Sequence, residues 1–194
     1  PELVARVQAA AQRLGYVPDP AARALASRHS THVAVLVPML SNALFVDVIE
    51  AIQRTLRPAG YQTLIGITHY DVQEEEQLLR EQLLHRPAGV LITGVDQSAA
   101  TQALLAQSGV PAVHMMALDD ARPSVGLSQA EAAAAMTRHL LGRGRKRIAF
   151  AAAQLDPRTI QRLQGWREEM RRHGLHEAAL EWLNPAPSSL ALGG

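Results

Sequence analysis

The sequence predicts an α/β fold in which parallel sheets carry helices on their faces. Short, continuous runs of apolar residues recur along the chain, and a stretch with helical spacing follows most of them. Continuous apolar runs are typical of strands buried on both faces, and strands that alternate with helices form right-handed βαβ units. With 194 residues, 47% of them hydrophobic, the chain is long enough to bury such a core.

The first thirty residues are predicted to be helical but separate from the sheets. Leu3 and Val7 begin a pattern at helical spacing, and Gly15 stands where a helix C-cap is expected. Asp19 and Pro20 then start a second helix, as N-cap and first-turn residue. Because this second helix is short, it would be only marginally stable alone in water.

Four strands and three helices are predicted from residue 33 to residue 115. The apolar run 33–37 is the clearest strand, and apolar side chains at helical spacing predict the helix 44–56. The glutamates 74–76 favour a helix start, since acidic side chains stabilise the positive end of a helix dipole. The remaining predicted elements are the strands 63–67, 89–93 and 112–115 and the helix 97–107.

The same alternation continues for one more unit. A short strand is predicted at 125–127. Ser128 and Glu131 form a capping-box pattern before a helix that ends near Leu141. Another strand is predicted at 147–152.

The last predicted helix starts at Asp156-Pro157 and runs to about residue 172. Its predicted buried side consists of Ile160, Leu163, Trp166 and Met170. No element is predicted after Gly174, and one strand with two helices cannot cover both faces of a parallel sheet. We therefore expect the chain to be a fragment that lacks C-terminal sequence.

Composition and motifs exclude several classes of site. The chain has no Cys, which excludes disulfides, thiolate zinc sites, iron–sulfur clusters and a cysteine nucleophile. It has no Walker loop, no G-x-G-x-x-G after the first strand, no H-E-x-x-H and no G-x-S-x-G, and its eight histidines lack metal-ligand spacing. We therefore predict no catalytic residue, no metal, no cofactor and no enzyme activity.

Neither membrane insertion nor export is predicted. No 18 consecutive residues are apolar, and Glu2, Arg6 and Arg13 near the start are unlike a signal peptide. The net charge is only +1, from 19 basic and 18 acidic residues. The basic run 143–147 is interpreted as a solvated turn before a strand. We expect a cytoplasmic protein with no membrane partner.

Three segments carry motifs in a specific order and spacing. Residues 14–27 read LGYVPDPAARALAS, residues 33–45 begin VAVLVP and end SNALF, and residues 139–150 read HLLGRGRKRIAF, with Arg162 and Gly165 following. Together they resemble the LacI/GalR family of bacterial transcription regulators, in its headpiece exit and hinge helix, its first core strand and loop, and its later strand.

The resemblance implies a two-lobed core, like that of a periplasmic sugar-binding protein, after the end of a helix-turn-helix headpiece and a hinge helix. The expected divisions are 1–18 for the headpiece end, 19–30 for the hinge helix and linker, 31–127 for the N-terminal lobe and 128–194 for a partial C-terminal lobe. The implied partners are operator DNA, a small-molecule effector and further copies of the chain, as a homodimer or a dimer of dimers. The helices from Leu44 and from Glu74 are the candidate dimer faces.

The resemblance also implies DNA contacts around the hinge. Paired hinge helices of the family enter the minor groove, where a leucine wedges between base steps. Leu25 stands at that position, and Ala22 at the small residue that allows close approach. Arg23, Arg28 and Tyr16 are expected at phosphates. From the residues alone, without the resemblance, the same segment is better interpreted as a capped linker, with Tyr16 packed under the helix.

The effector site is expected beyond the carboxyl ends of the strands, where open α/β sheets bind ligands. Leu44 and Phe45 are expected to form an apolar wall, and Thr93 and Ser128 to hydrogen-bond hydroxyl groups. The strand end 114–117 lacks the acidic residue that is common in the family. His114 is interpreted as a packed strand residue and the methionines as core, although Met116 stays among the candidate effector-binding residues.

Residues 155–162 and 182–189 resemble the gluconate-utilisation branch of the family. That resemblance implies that Asp156 binds sugar hydroxyls and that Arg158 and Arg162 bind the carboxylate of a sugar acid such as gluconate or ketogluconate. The planar guanidinium suits two-point binding of a carboxylate. Arg158 can also be interpreted as a surface residue of its helix.

A periplasmic-type solute-binding protein for a sugar is the alternative function. It would share the two lobes but would have no use for the helix and hinge that precede them. An enzyme on a doubly wound sheet would need a catalytic motif that the sequence lacks. We therefore expect a ligand-responsive transcriptional regulator, acting as a repressor.

Overall fold

The protein folds as two parallel sheets with helices packed on them. The computed structural model describes residues 2–16 and 30–186. Its helices are α1 (Glu2–Arg13), α2 (Ala43–Leu56), α3 (Val72–Leu84), α4 (Ala99–Ser108), α5 (Gln129–Gly142) and α6 (Pro157–Arg172). Its strands are β1 (His32–Val37), β2 (Gln62–Ile67), β3 (Gly89–Thr93), β4 (Ala112–Met115), β5 (Ser124–Val125), β6 (Phe150–Ala153) and β7 (Glu181–Asn184). The predicted α/β class is confirmed.

The larger sheet has the strand order β2-β1-β3-β4-β5, with every pair parallel. All five carboxyl ends therefore lie along one edge. The two-residue β5 is shorter than the predicted strand 125–127 and lies at the end of the sheet. His114 of β4 is only 3% exposed, which confirms that it is a packed strand residue.

Both faces of the larger sheet are buried. On one face, Val33, Val35, Val37 and Met115 pack with Phe45 and Ile49 of α2. On the other face, Ala34, Leu36, Val90 and Ile92 pack with Leu79 of α3. Because successive residues of a strand point to opposite faces, β1 needs apolar residues at every position, which is why its sequence is a continuous run.

The smaller sheet pairs β6 with β7 in parallel. The prediction of no element after Gly174 was wrong. β7 reads E-W-L-N, with two apolar residues between two polar ones, so it lacks the continuous apolar run by which the other strands were predicted. Arg167 of α6 holds β7 in place: its Nε donates to the Glu181 carboxylate at 2.7 Å. That hydrogen bond, opposed by burial and helped by His176, lowers the pKa of Glu181 to about 2.

Helices α5 and α6 pack on each other and on the smaller sheet, around Leu163, Trp166 and Met170. Ile160 was predicted on this buried side but is 44% exposed. The strand predicted at 147–152 starts at Phe150, although Ile148 before it is buried.

Side-chain caps fix the starts of five helices. Asn42, Asp71, Ser98, Ser128 and Asp156 each accept a hydrogen bond from a backbone N–H in the first turn. Such caps satisfy donors that have no partner within the helix. The caps predicted at 128 and 156 are confirmed. Helix α3 starts at Val72, directly after its cap Asp71 and two residues before the glutamates that indicated it.

Helix α1 carries no buried residue, so its apolar side chains Leu3, Val4 and Val7 are exposed. The basic run 143–147 is exposed and turns at Gly144, whose φ is 80°, as interpreted from the sequence. Within the described residues, no helix has the length and apolar character needed to cross a membrane.

We predict that Gly165→Ala destabilises the protein by at least about 2 kcal/mol, because there is no room for a methyl group at the contact of α6 with α5. A Cβ at Gly165 would lie 2.9 Å from the Cα of Ala130 and closer still to its carbonyl group. Gly142→Ala is the matched control, since a Cβ at that helical position meets nothing within 4 Å. Urea unfolding measures both variants, and equal stability would contradict the packing argument.

Candidate functional site

Two cavities lie where α6, which packs on the smaller sheet, meets the larger sheet. The larger cavity, of about 650 Å³, runs from the carboxyl edge along the sheet face beside α2, and the smaller one, of about 110 Å³, lies at that edge. Among the described residues, only Arg158 lines both of them. Binding pockets of α/β sheets are expected at this edge.

The larger cavity is mainly apolar, with Val48, Ile52, Leu91 and Met115 among its lining residues. Among the residues that the structure describes, two cationic side chains, Arg158 and Arg162, line it, and no acidic one does. Apolar walls with a few placed polar groups are typical of small-molecule sites. The charge of this cavity therefore favours an anion.

Arg162 is held by α5. Its Nε donates to Oε1 of Gln129 at 2.7 Å, and Gln129 Nε2 donates to the Met116 carbonyl oxygen at 3.4 Å. Gln129 is itself buried. This chain of contacts orients the guanidinium of Arg162 in the wall of the larger cavity, where its remaining N–H groups can receive a carboxylate.

Arg158 is 9% exposed and reaches from α6 to the larger sheet. Its Nη2 donates to the Tyr70 hydroxyl at 2.6 Å and to the Asp156 carboxylate at 3.1 Å, and its Nη1 lies 3.7 Å from Sδ of Met116. Its guanidinium carbon is 5.3 Å from the ring centre of Phe45 and 5.8 Å from that of Tyr70. It is a buried link between the two sheets rather than a surface residue.

Asp156 both caps α6 and pairs with Arg158. Its Oδ1 accepts from the Thr159 backbone N–H at 2.7 Å. Burial works in the opposite direction, but the hydrogen bonds from Thr159 and the charge of Arg158 hold the pKa of Asp156 below its usual value. Burial raises the pKa of the Tyr70 hydroxyl, against the charge of Arg158. The neutral phenol and the carboxylate therefore accompany the Arg158 charge at physiological pH.

Two residues whose side chains contact Arg158 have a sparsely populated backbone conformation. Tyr70 has a φ of 60° and Met116 a φ of 64°. Side-chain-bearing residues adopt positive φ only where the surrounding structure requires it, and such positions cluster at ligand sites.

The smaller cavity lies on the other face of the sheet edge, against α3 and the loop before α4. Glu75, Gln97, Asp71 and Asp96 line it, together with Thr93 and Tyr70. Burial raises the pKa of Glu75 to about 7, although a hydrogen bond with Thr101 opposes the rise. In contrast to the larger cavity, this wall is rich in acidic and amide groups.

The effector-binding residues expected from the sequence are only partly brought together. Leu44 and Met116 line the larger cavity with Arg158 and Arg162. Phe45 is fully buried beneath Arg158. Thr93 lines the smaller cavity, where its hydroxyl donates to the Leu36 carbonyl oxygen at 3.0 Å.

Ser128 lines neither cavity. It is exposed, and its hydroxyl accepts from the Glu131 N–H at 3.2 Å as the cap of α5. Its neighbour Gln129 is the residue that enters the site. The capping pattern in the sequence correctly predicted the helix start. The Ser128 hydroxyl serves as the cap of that helix rather than as a lining group of the cavity.

Sequence reasoning missed Tyr70, Gln129, Gln97 and Glu75. Tyr70 follows β2, a strand end that was not considered among the cleft residues although the same rule applies to it. The burial of Gln97 and Gln129 and the partial burial of Glu75 depend on how helices pack and leave no local signal. Among residues 2–16 and 30–186, no group of His, Asp and Glu side chains could hold a metal ion.

The predicted DNA contacts fall mostly outside the described residues. The predicted DNA-contact residues that lie outside the described ranges are Ala22, Arg23, Leu25 and Arg28. Tyr16 is described: it is 64% exposed, and its backbone N–H donates to the Ala11 carbonyl oxygen at 2.9 Å. Its ring is therefore not packed under α1, the alternative that the sequence left open.

Comparison with known proteins identifies relatives of the chain. A family model described as periplasmic binding proteins and sugar binding domain of LacI family matches residues 30–187. The chain is 48% identical to the HTH-type transcriptional regulator GntR of Pseudomonas aeruginosa, an alignment that covers 100% of this chain and 57% of that protein. The chain thus spans about half the length of the curated relatives it matches.

Solved structures show the same architecture. The transcription regulator GntR from Chromobacterium violaceum is 48% identical and superposes with a TM-score of 0.79, over 84% of this chain and 60% of that one. A LacI family transcriptional regulator from Silicibacter pomeroyi is 36% identical, with a TM-score of 0.87 over 97% of this chain and 58% of that one. These relatives are regulators by name, not enzymes.

We predict that Glu75→Gln makes unfolding less favourable at pH 8 by about 1 kcal/mol, after allowance for solvent screening of this partly exposed group. Burial raises the pKa of Glu75 from 4.5 in the unfolded chain to about 7 in the folded protein. The folded protein therefore loses stability as the pH rises from 4.5 to about 7, and the loss is complete above that range. At pH 4.5 the variant and the wild type should therefore differ little.

The matched control is Glu76→Gln, on the same helix, where the glutamate pairs with Arg80 at 2.9 Å near the surface. Thermal unfolding at the two pH values measures all three proteins. A Glu75→Gln effect that is the same at both pH values would contradict a raised pKa.

Proposed function

The chain belongs to the LacI family of transcriptional regulators, and from this premise we propose that the whole protein is a ligand-responsive, DNA-binding repressor of the cytoplasm whose core binds a sugar acid. The observation that carries the proposal is the pair Arg158 and Arg162 in the wall of one cavity, with no acidic residue among the described residues that line it. Arg158 is already paired with Asp156, whereas Arg162 is bonded to the neutral side chain of Gln129, so the Arg162 guanidinium suits a carboxylate.

Gluconate or a ketogluconate is the effector we propose. The sequence similarity of residues 155–162 and 182–189 to the gluconate-utilisation branch supports it, and so does the GntR name of relatives at 48% identity. Asp156 and Tyr70 stand beside Arg158 and can bind hydroxyl groups of such a ligand. Neutral sugars would leave the charge of Arg162 without an anion.

Effector binding would act through Arg158. Its bonds to Tyr70 and Asp156 connect the two sheets, so a carboxylate that competes for this guanidinium changes how they are held together. An effector shifts a regulator only if its affinity differs between the DNA-bound and released states. We propose that the differential contact is the one to Arg158.

The DNA-binding part would use the hinge segment 19–30 and a second copy of the chain. Leu25 is proposed as the minor-groove wedge and Ala22 as the close-approach residue, with Tyr16, Arg23 and Arg28 at phosphates. Helices α2 and α3 are the proposed dimer faces, and Leu44 and Val46 of α2 are 46% and 44% exposed.

We expect Arg162→Leu to weaken gluconate binding about 10- to 100-fold, the loss typical of a charge-assisted hydrogen bond. Titration calorimetry on the intact protein with gluconate, 2-ketogluconate and glucose measures this. Arg171→Leu, on the exposed side of the same helix, is the control and should bind like the wild type. Tight binding of glucose without any response to gluconate or the ketogluconate would reject the sugar-acid effector.

For the DNA end, Leu25→Ala should weaken specific operator binding by about tenfold or more while effector affinity stays unchanged, because the loss of the wedge removes the kinked minor groove. Fluorescence anisotropy with a DNA site selected by the wild-type protein is the measurement. Leu118→Ala, at a loop residue that is 55% exposed, is the control. Unchanged operator affinity in the Leu25 variant would remove the wedge role.

A further inference from the structure

The chain enters the larger sheet between two loops at its amino edge, the edge at which the parallel strands begin. The Thr31 carbonyl oxygen accepts a hydrogen bond from the Gln62 N–H, and the His32 carbonyl oxygen accepts one from the Ala88 N–H, both at 2.7 Å. Strand β1 lies between β2 and β3 in the sheet. The start of β1 is therefore flanked by the loop that follows α2 on one side and by the loop that follows α3 on the other.

Each of these two loops carries an exposed arginine. Arg57 directly follows α2, and Arg86 is the second residue after α3. Neither forms an ion pair with any residue in the described part of the chain. Two cations without counter-charges thus stand on either side of the point where the proposed hinge segment 19–30 joins the sheet.

Arg86 occupies a backbone position that suits glycine. Its φ is 46°, and its N–H donates to the Leu83 carbonyl oxygen at 3.0 Å. The other five helices that the structure describes are each followed by a glycine with positive φ, namely Gly15, Gly60, Gly109, Gly144 and Gly174. A residue with a side chain adopts this conformation only at a cost in stability. Such a cost at an exposed residue indicates a role for the side chain other than folding.

The charges of the larger-sheet unit are sorted by end. Residues 31–127 contain five arginines and ten acidic residues. Asp96 and Asp119 lie in loops at the carboxyl end of the strands, and the glutamates 74–76 lie at the same end, at the start of α3. Both exposed arginines lie at the amino end. A polyanion is therefore repelled from the carboxyl end, and the amino end is the side that suits it.

We propose that Arg57 and Arg86 bind the phosphate backbone of DNA, so that the core adds contacts of its own to those of the hinge. This inference rests on the proposed DNA-binding function. Leu25, the proposed wedge, precedes Thr31 by six residues, which span at most about 20 Å when fully extended. The amino edge then lies within reach of the charge of the duplex, since the Debye length is about 30 Å at 0.01 M salt and about 10 Å at 0.1 M.

The test measures how the DNA affinity of the intact protein depends on salt, by fluorescence anisotropy with a site selected by the wild type and with a random duplex of the same length. Each phosphate contact contributes about one to the slope of log K against log [salt]. Arg57→Gln and Arg86→Gln should each lower that slope by about one and weaken binding of both duplexes about five- to tenfold at 0.1 M salt. Arg86→Lys should keep the wild-type slope, because it keeps the charge.

Arg86→Gly separates the charge from the fold. It removes the cation and suits the left-handed backbone, so the midpoint of urea unfolding should rise while DNA affinity falls as in Arg86→Gln. A fall of both would overturn the proposal, because damage to the fold would then explain the weaker binding. Arg171→Gln is the matched control: Arg171 is exposed in the last turn of α6, and its replacement should leave the slope unchanged.

The outcomes distinguish the core contacts from the DNA-binding function. If Leu25→Ala weakens binding of the selected site while both glutamine variants keep the wild-type slope, the core contacts are refuted and the DNA-binding function stands. If the wild type prefers neither duplex but both glutamine variants lower its slope, the core contacts are supported and operator recognition is refuted. Weaker binding of the selected site alone would also overturn the proposal, since phosphate contacts carry no sequence information.

Discussion

The buried guanidinium of Arg158 is the interaction on which the arrangement of the site depends. It extends from the first turn of α6 to Tyr70 and Phe45 of the larger sheet unit, with Asp156 as its counter-charge. A buried cation is tolerated only when it is paired and hydrogen-bonded, and here each partner comes from a different element. The two cavities meet at this side chain because it occupies the space between the sheets.

The parallel sheet explains why both cavities reach the same edge. Parallel strands end on the same side, so the loops after β1, β2, β3 and β4 converge there, while the other faces are closed by α2, α3 and α4. The two faces of that edge then differ in chemistry. Apolar residues of α2 and the arginines of α6 form one side, and acidic and amide groups of α3 and the loop before α4 form the other.

Much of the fold could be predicted because its signals are local. The continuous apolar run of β1, the capping pattern at Ser128 and the Asp156-Pro157 start of α6 each depend on a few neighbouring residues. β7 escaped prediction because an edge strand with one wet face does not need a continuous apolar sequence. Ile160 was misplaced because helical spacing gives the period of a buried face but not its width.

The sequence by itself determined the order of strands and helices as far as α6, the parallel topology and the two arginines on α6, since these follow from periodicity, caps and motif spacing. Only the tertiary structure decided that Arg158 is buried against Tyr70, that Arg162 is held by Gln129 and that Gln97 is buried. The physical reason is that burial and hydrogen-bond partners are set by residues distant in the chain, 88 positions apart for Arg158 and Tyr70. No local pattern encodes such a meeting; it exists only once the sheets and helices have packed.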